Sequence, residues 1–285
     1  MLALITDSTC DIPEHFIEQY GIIVVSHVII WGEEQFRDRV SLQPKEFYQR
    51  LQADDQRPTT AQAGVGDFLA GIRQAEDQDA EKALILTVSS AMSGAYDMAS
   101  TAAEKAEIPV TVVDSKGPSM SLGWQVLAAA RARDKGAEMD EILRQVDDVR
   151  ERMVQVVAME TLDYLQAGGR IGEAAKWVGS LLKVKPVVSI NHEKGVVTPA
   201  GLARTQTSAV DMLFKKFINS LGAGSKFRVA VMHGDAFEEA QKLAERVHKA
   251  LDPVELFINI TGPVLGINTG PGALALCGYA EDHMS

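Results

Sequence analysis

Thr87-Val88-Ser89-Ser90-Ala91-Met92-Ser93-Gly94-Ala95-Tyr96 is the stretch on which the reading of this chain turns. Before it, residues 83–88 form a short apolar run of strand type; after it, residues 95–106 carry helical periodicity. A strand that breaks through small hydroxyl residues into a helix points backbone N–H groups and serine hydroxyls at one spot. Such a spot suits an anionic oxygen, because a helix N-terminus has free donors and a favourable dipole. The plainer reading is that Ser89, Ser90 or Ser93 caps the helix. Anion capture is the functional expectation.

Outward from this turn, residues 2–6, 22–30 and 110–114 also read as strands, and residues 44–52, 65–74 and 121–134 as helices. Strand and helix alternating in this way predict a parallel sheet with crossover helices. Asp7-Ser8-Thr9, Ser89-Ser90 and Asp114-Ser115 each follow a strand. In an open α/β sheet the carboxyl ends of the strands form the ligand crevice, so these turns are expected to converge. Residues 140–152 carry charge all round except for a narrow stripe of Ile142, Leu143, Val146 and Val149, the pattern of a linker or a last helix. Beyond it, residues 154–159, 184–190, 228–233 and 255–260 read as strands, with helices at 161–167, 174–182, 206–220 and 236–251. The expectation is an α/β protein of two domains, divided at about residue 150. The first (1–150) carries a mostly parallel sheet with helices on both faces, and the second (151–285) is mixed α/β.

Two Gly-rich segments, at 168–172 and 261–272, read as loops that let backbone approach a ligand closely. Neither matches GxxxxGK[ST] or GxGxxG, so support for a nucleotide site is weak. Composition narrows the field further. The 285 residues hold 39 acidic and 28 basic side chains, a net charge of −11, which disfavours nucleic acid and anionic membrane surfaces as partners. No apolar run approaches the ~18 residues of a membrane span. Residues 1–7 read as a strand entering a polar turn rather than a secretory leader, so a cytoplasmic protein is expected. The two cysteines, Cys10 and Cys277, have no CxxC spacing, and the histidines no HxxxH or HExxH spacing. Neither a disulfide framework nor a metal site is expected.

Motifs in order along nearly the whole chain resemble the DegV family of bacterial fatty-acid-binding proteins. They are Asp7-Ser8-Thr9-Cys10-Asp11, Pro58-Thr59-Thr60-Ala61-Gln62, Ser89-Ser90-Ala91-Met92-Ser93-Gly94 and Asp114-Ser115. Thr161-Leu162-Asp163-Tyr164-Leu165 follows, with Gly168-Gly169-Arg170-Ile171 and Lys185-Pro186. Gly262-Pro263-Val264-Leu265-Gly266 and Thr269-Gly270-Pro271-Gly272 complete the set. The resemblance implies a two-domain α/β carrier that buries one long-chain fatty acid and offers it to a partner fatty acid kinase. The kinase would supply ATP and form an acyl phosphate for phospholipid synthesis. The carrier itself would have no catalysis and no cofactor.

On this resemblance Thr60 and Ser93 look like the head-group hydroxyls, the Gly94 N–H an added donor, and Arg170 a cation that polarises the network. Asn268 stands where the family usually has histidine; an amide donates a hydrogen bond but carries no charge and shuttles no proton. Two further departures are Thr60-Ala61-Gln62-Ala63 for Thr-Ser-Gln-Pro, and Ala95 for the threonine after Ser-Gly. They imply an altered ligand preference or another partner. Without the resemblance, Thr60 reads equally as a helix cap or turn residue, and Arg170 as an interface salt bridge. The tail needs apolar walls: at about 0.8 kcal/mol per methylene, a chain of roughly 16 carbons gains on the order of 10 kcal/mol before ordering costs. Leu181, Leu182, Val184, Val187, Ile190, Phe214, Phe217 and Ile218 are candidates for these walls, although each is more often ordinary core. Two alternatives use the same turn. One is a serine hydrolase with Ser93, His233 and Asp114, for which no GxSxG elbow is present. The other is a phosphate- or nucleotide-binding module.

Overall fold

The computed structural model describes residues 1–177, 184–224 and 226–281. In chain order the first strands are β1 (Leu2–Asp7), β2 (Ile23–Val25), β3 (Val28–Trp31), β4 (Glu34–Arg37), β5 (Thr59–Ala61), β6 (Lys82–Thr87) and β7 (Val110–Asp114). The second half adds β8 (Val154–Ala158), β9 (Lys185–Asn191), β10 (Val196–Ala203), β11 (Phe227–His233), β12 (Glu255–Ile260) and β13 (Leu274–Ala280).

β2, β1, β6 and β7 form an all-parallel sheet in that order. Both faces are covered by helices, and the central strands show it: every residue of β1 is buried, as is all of β6 after its first residue. This is why they read as continuous apolar runs rather than alternating ones. After β1 the chain turns to one side for β2 and later returns to the other side for β6. A topological switch point therefore lies between the carboxyl ends of β1 and β6, where an open α/β sheet places its crevice.

The second sheet is mixed, in the order β10-β9-β8-β13-β11-β12, with only the β11–β12 pair parallel. Its faces alternate strictly. Val156, Val187, Val229, Val231 and Leu276 face a core under helices Gln206–Ser220 and Phe237–Leu251. Val157, Val188, Ala230, Met232 and Ala275 face the other way, into the core shared with the parallel sheet. Helix Met120–Asp134 packs between the two sheets, against β1, β6 and β13, and is buried nearly all round. Its Trp124 ring N–H donates to the Cys277 carbonyl at 3.1 Å. Residue 150, the division expected from sequence, lies in the last turn of helix Met139–Arg152, and the largest core runs across it.

Several elements differ from the sequence reading. The run 22–30 is two strands in two sheets, broken at the buried pair Ser26-His27. The His27 N–H donates to Ser8 Oγ at 3.1 Å, which pins the break to the turn after β1. β3 then forms a small antiparallel sheet with β4 and β5, too short and too polar to announce themselves. β10 and β13 also escape the sequence reading, although β13 is central to its sheet. Residues 261–272 are not all loop: Pro263–Thr269 is a helix, begun by proline in its first turn. It stops at Gly270, with φ +74°, where a Cβ would lie 2.4 Å from the Tyr164 ring. The helix expected over 174–182 is a 3-10 segment at Gly172–Trp177, and its remainder lies outside the described residues.

Candidate functional site

A cavity of about 1000 Å³, open mouth included, lies where the switch point of the parallel sheet meets the inner face of the mixed sheet. This is the size of a pocket that encloses a whole small ligand. Thr9 follows β1 and Val88 follows β6, and both line it together with Met92 and Ser93 of the quoted turn. Val157, Val188, Ile190, Met232 and Ala275, all on the inward face of the mixed sheet, form the opposite wall. The walls are overwhelmingly apolar. Polar atoms gather at one end, where Thr60, Ser93, Arg170 and Asn268 approach one another.

Each serine of the turn has a different fate. Ser89 Oγ donates to the Gly195 carbonyl at 2.7 Å, and Ser90 Oγ to the Asp114 carboxylate. Ser93 Oγ accepts the Ala95 N–H at 3.3 Å, at the start of helix Ala95–Ala103, and lines the cavity. Capping and ligand binding are therefore compatible: an oxygen that accepts one N–H keeps its own proton for an anion. Thr60 sits on β5 rather than at a helix start, because Gly64 caps helix Val65–Asp77 and Asp67 reaches back to it. Its hydroxyl makes no hydrogen bond among the described residues.

Arg170 is exposed and forms no ion pair among the described residues. Its Nε donates to the Met92 carbonyl at 3.0 Å and its Nη1 to the Gly168 carbonyl at 2.6 Å, so it clamps the serine turn to the Gly-Gly-Arg loop. Asn268 uses one amide hydrogen on the Val264 carbonyl at 3.0 Å and has a second to give. Its Oδ1 faces Gly168, where a Cβ would lie only 2.0 Å away, so the loop reaches this approach because residue 168 has no side chain. Gly94 is the exception among the expected residues. It does not line the cavity, and its open side is covered by the Gln62 amide.

Beneath the polar end lies a buried network that sequence reasoning missed. His27 lines the cavity; its Nδ1 accepts the Ala63 N–H at 3.1 Å and its Nε2 lies 3.3 Å from Asp7 Oδ1. Burial works against a charge on Asp7. His27, the Thr9 hydroxyl and the Val88 N–H nevertheless hold its carboxyl below the usual range. Nearby, Arg39 pairs with Asp11 at 2.5 Å, and Asp11 also accepts from Ser119 and the Gly262 N–H. Burial pushes the Asp38 carboxyl up to about 6, against the pull of Arg39, Ser8 and His27. No spacing signal marks His27, which sits inside an apolar run; Thr9 was at least visible in a hydroxyl-rich turn after a strand.

The expected tail walls need correction. Ile190 lines the cavity, but Val187, Phe214, Phe217 and Ile218 pack on the far side of the mixed sheet. A shift of one residue along a strand reverses the face, and only the fold decides which face meets the cavity. Val184 does not line the cavity, and Leu181 and Leu182 lie outside the described residues. The imagined triad is not assembled either. Asp114 is taken by Ser90 and by Lys116 at 2.8 Å, and His233 Nδ1 accepts the Ala236 N–H. Ser121 Oγ does lie 2.8 Å from His192 Nε2, but Ser121 is fully buried and does not line the cavity.

The profile of the DegV family of uncharacterised proteins matches residues 1–281. The chain belongs to the DegV family. A DegV domain-containing protein of Halalkalibacterium halodurans is 31% identical over 281 residues, 98% of this chain and 99% of the relative. Among solved structures, a DegV-family protein of Thermus thermophilus described for its fatty acid binding superposes with a TM-score of 0.91 at 29% identity. That match covers 98% of this chain and 99% of the other. DegV of Bacillus subtilis, a fatty acid binding protein, superposes with a TM-score of 0.89 at 28% identity, over 97% and 98% of the two chains. This DegV-family chain thus shares a two-sheet α/β frame with relatives that bind fatty acids. Among its described residues, no helix is long and apolar enough to cross a membrane.

Proposed function

We propose that this chain binds one long-chain fatty acid, its carboxylate at Thr60, Ser93, Arg170 and Asn268 and its tail along the inward face of the mixed sheet. The observation that carries this reading is the division of a single cavity into a polar end and an apolar wall. A carboxylate taken from water needs charge-assisted hydrogen bonds. The Thr60 and Ser93 hydroxyls and the second amide hydrogen of Asn268 have protons to donate, and the Arg170 charge is not cancelled by a carboxylate. Met92, Met159 and Met232 suit a tail of variable shape, since thioether side chains adapt to irregular space.

Within this reading the protein is a cytoplasmic carrier without catalysis of its own, presenting its ligand to a fatty acid kinase subunit for phospholipid synthesis. The polar end lies beside exposed Arg170, which supports presentation of the carboxylate rather than sequestration.

Native mass spectrometry of the purified protein, followed by denaturation and lipid analysis, tests the reading. A stoichiometric fatty acid is expected. Ser93→Ala should weaken carboxylate binding roughly ten- to hundred-fold, the range for a hydrogen bond to a charged group, and leave a long-chain alcohol unaffected. A protein that stays empty after incubation with free fatty acids sinks it.

A further inference from the structure

A second pocket of about 660 Å³, open mouth included, lies against the polar end of the first. Thr60, Arg170 and Asn268 line both, and so form the partition between them. On the outer side the lining adds Arg57, Tyr164 and Gly168, and no acidic side chain lines it.

The charge state of this pocket is unusual for a chain of net charge −11. Carboxylates hold Arg37, Arg39, Arg50, Arg131 and Arg228 in ion pairs. Arg57 and Arg170 have no such partner among the described residues. Neither is a loose surface side chain. The Arg57 guanidinium lies 4.9 Å from the centroid of the Tyr164 ring, and Arg170 is fixed on two backbone carbonyls. Carbonyls orient a guanidinium without cancelling its charge. Two pre-positioned positive charges, with the Thr60 hydroxyl and an Asn268 amide hydrogen between them, match a doubly charged tetrahedral oxyanion better than a single carboxylate.

We propose that this outer pocket is a phosphate site. Its ligand is inorganic phosphate or a phosphoryl group carried on the chain held in the inner cavity; the second source rests on the fatty-acid reading. In that case Thr60 and Asn268 hold the carbonyl end at the partition, and Arg57 and Arg170 hold the phosphoryl oxygens beyond it.

Calorimetric titration with hexadecanoic acid, hexadecyl phosphate and inorganic phosphate, each against the intact protein and Arg57→Gln, tests this. Arg57 is exposed and bears no part of the fatty-acid site, so hexadecanoic acid should bind both proteins equally. Hexadecyl phosphate should lose roughly tenfold or more on Arg57→Gln, as expected for a lost charged hydrogen bond. If inorganic phosphate alone binds in an Arg57-dependent way and neither long-chain ligand does, the site is one for free phosphate and the fatty-acid reading falls. If hexadecanoic acid binds but Arg57→Gln leaves both phosphate ligands unchanged, or weakens all ligands alike, the phosphate site is overturned and the fatty-acid reading stands.

Discussion

The two ends of the inner cavity are built by different means. At the polar end single residues from distant segments each bring one group: Thr60 from β5, Ser93 from the turn after β6, Arg170 from a loop, and Asn268 from helix Pro263–Thr269. At the apolar end the wall is one face of a sheet, supplied by every second residue of several strands. The first end depends on position, atom by atom. The second depends on a sum of many weak contacts, so no single wall residue is expected to dominate. Orientation and affinity are thereby divided between two structures that can be perturbed separately.

The largest test sets the sheet's outer face against its inner one. Phe217→Ala removes a fully buried ring from the core under helix Gln206–Ser220, and should cost about 3–5 kcal/mol of stability. Chain-length preference should not move, since Phe217 lies across the sheet from the cavity. Denaturant unfolding and binding of a series of acids on the same variant check this; a shifted preference would mean that the faces are not independent.

A second test sharpens the polar end. The folded-state value of Asp38, about 6, lies above the ordinary carboxylate value. Its contribution to stability is therefore complete below pH ~4 and lost as pH rises through the folded-state value. Asp38→Asn should stabilise the protein by up to about 3 kcal/mol at pH ~8 and not at all below pH ~4. Urea midpoints at the two pH values measure the difference. An equal effect at both would show that the network beneath the head-group end carries the Asp38 charge without strain.

The smallest effect per step belongs to the ligand. Each methylene removed from the acid should weaken binding by up to about 0.8 kcal/mol, roughly fourfold. The slope should be the same in Ser93→Ala, because contacts far apart without shared partners add independently. A slope that changes with the head-group variant would join the two ends into one cooperative site.

Much of the parallel sheet was legible before any coordinates. β1, β6 and β7 lie in short apolar runs bounded by polar turns, and their crossover helices carry clear periodicity. The mixed sheet was only partly so. Its strands alternate in period two, but Val187 and Val188 are equally apolar, and nothing in the strand says which will meet a cavity. β13 is a central strand with no helical or turn signal that sets it apart. The break between β2 and β3 depends on the contact of His27 with Ser8, a residue distant in sequence, and so lies beyond local periodicity.

The sequence by itself determined that a turn of small hydroxyl residues would sit between a buried strand and a helix, ready for an anion. Local backbone geometry and side-chain chemistry suffice for that, since both are specified within about ten residues. Which hydroxyl remains available was decided by the tertiary structure alone. Ser89 is consumed by the Gly195 carbonyl and Ser90 by Asp114, both brought in from elsewhere in the chain, and Ser93 keeps its proton facing the cavity. A donor's availability is a property of everything packed around it, and that is settled only when distant segments meet.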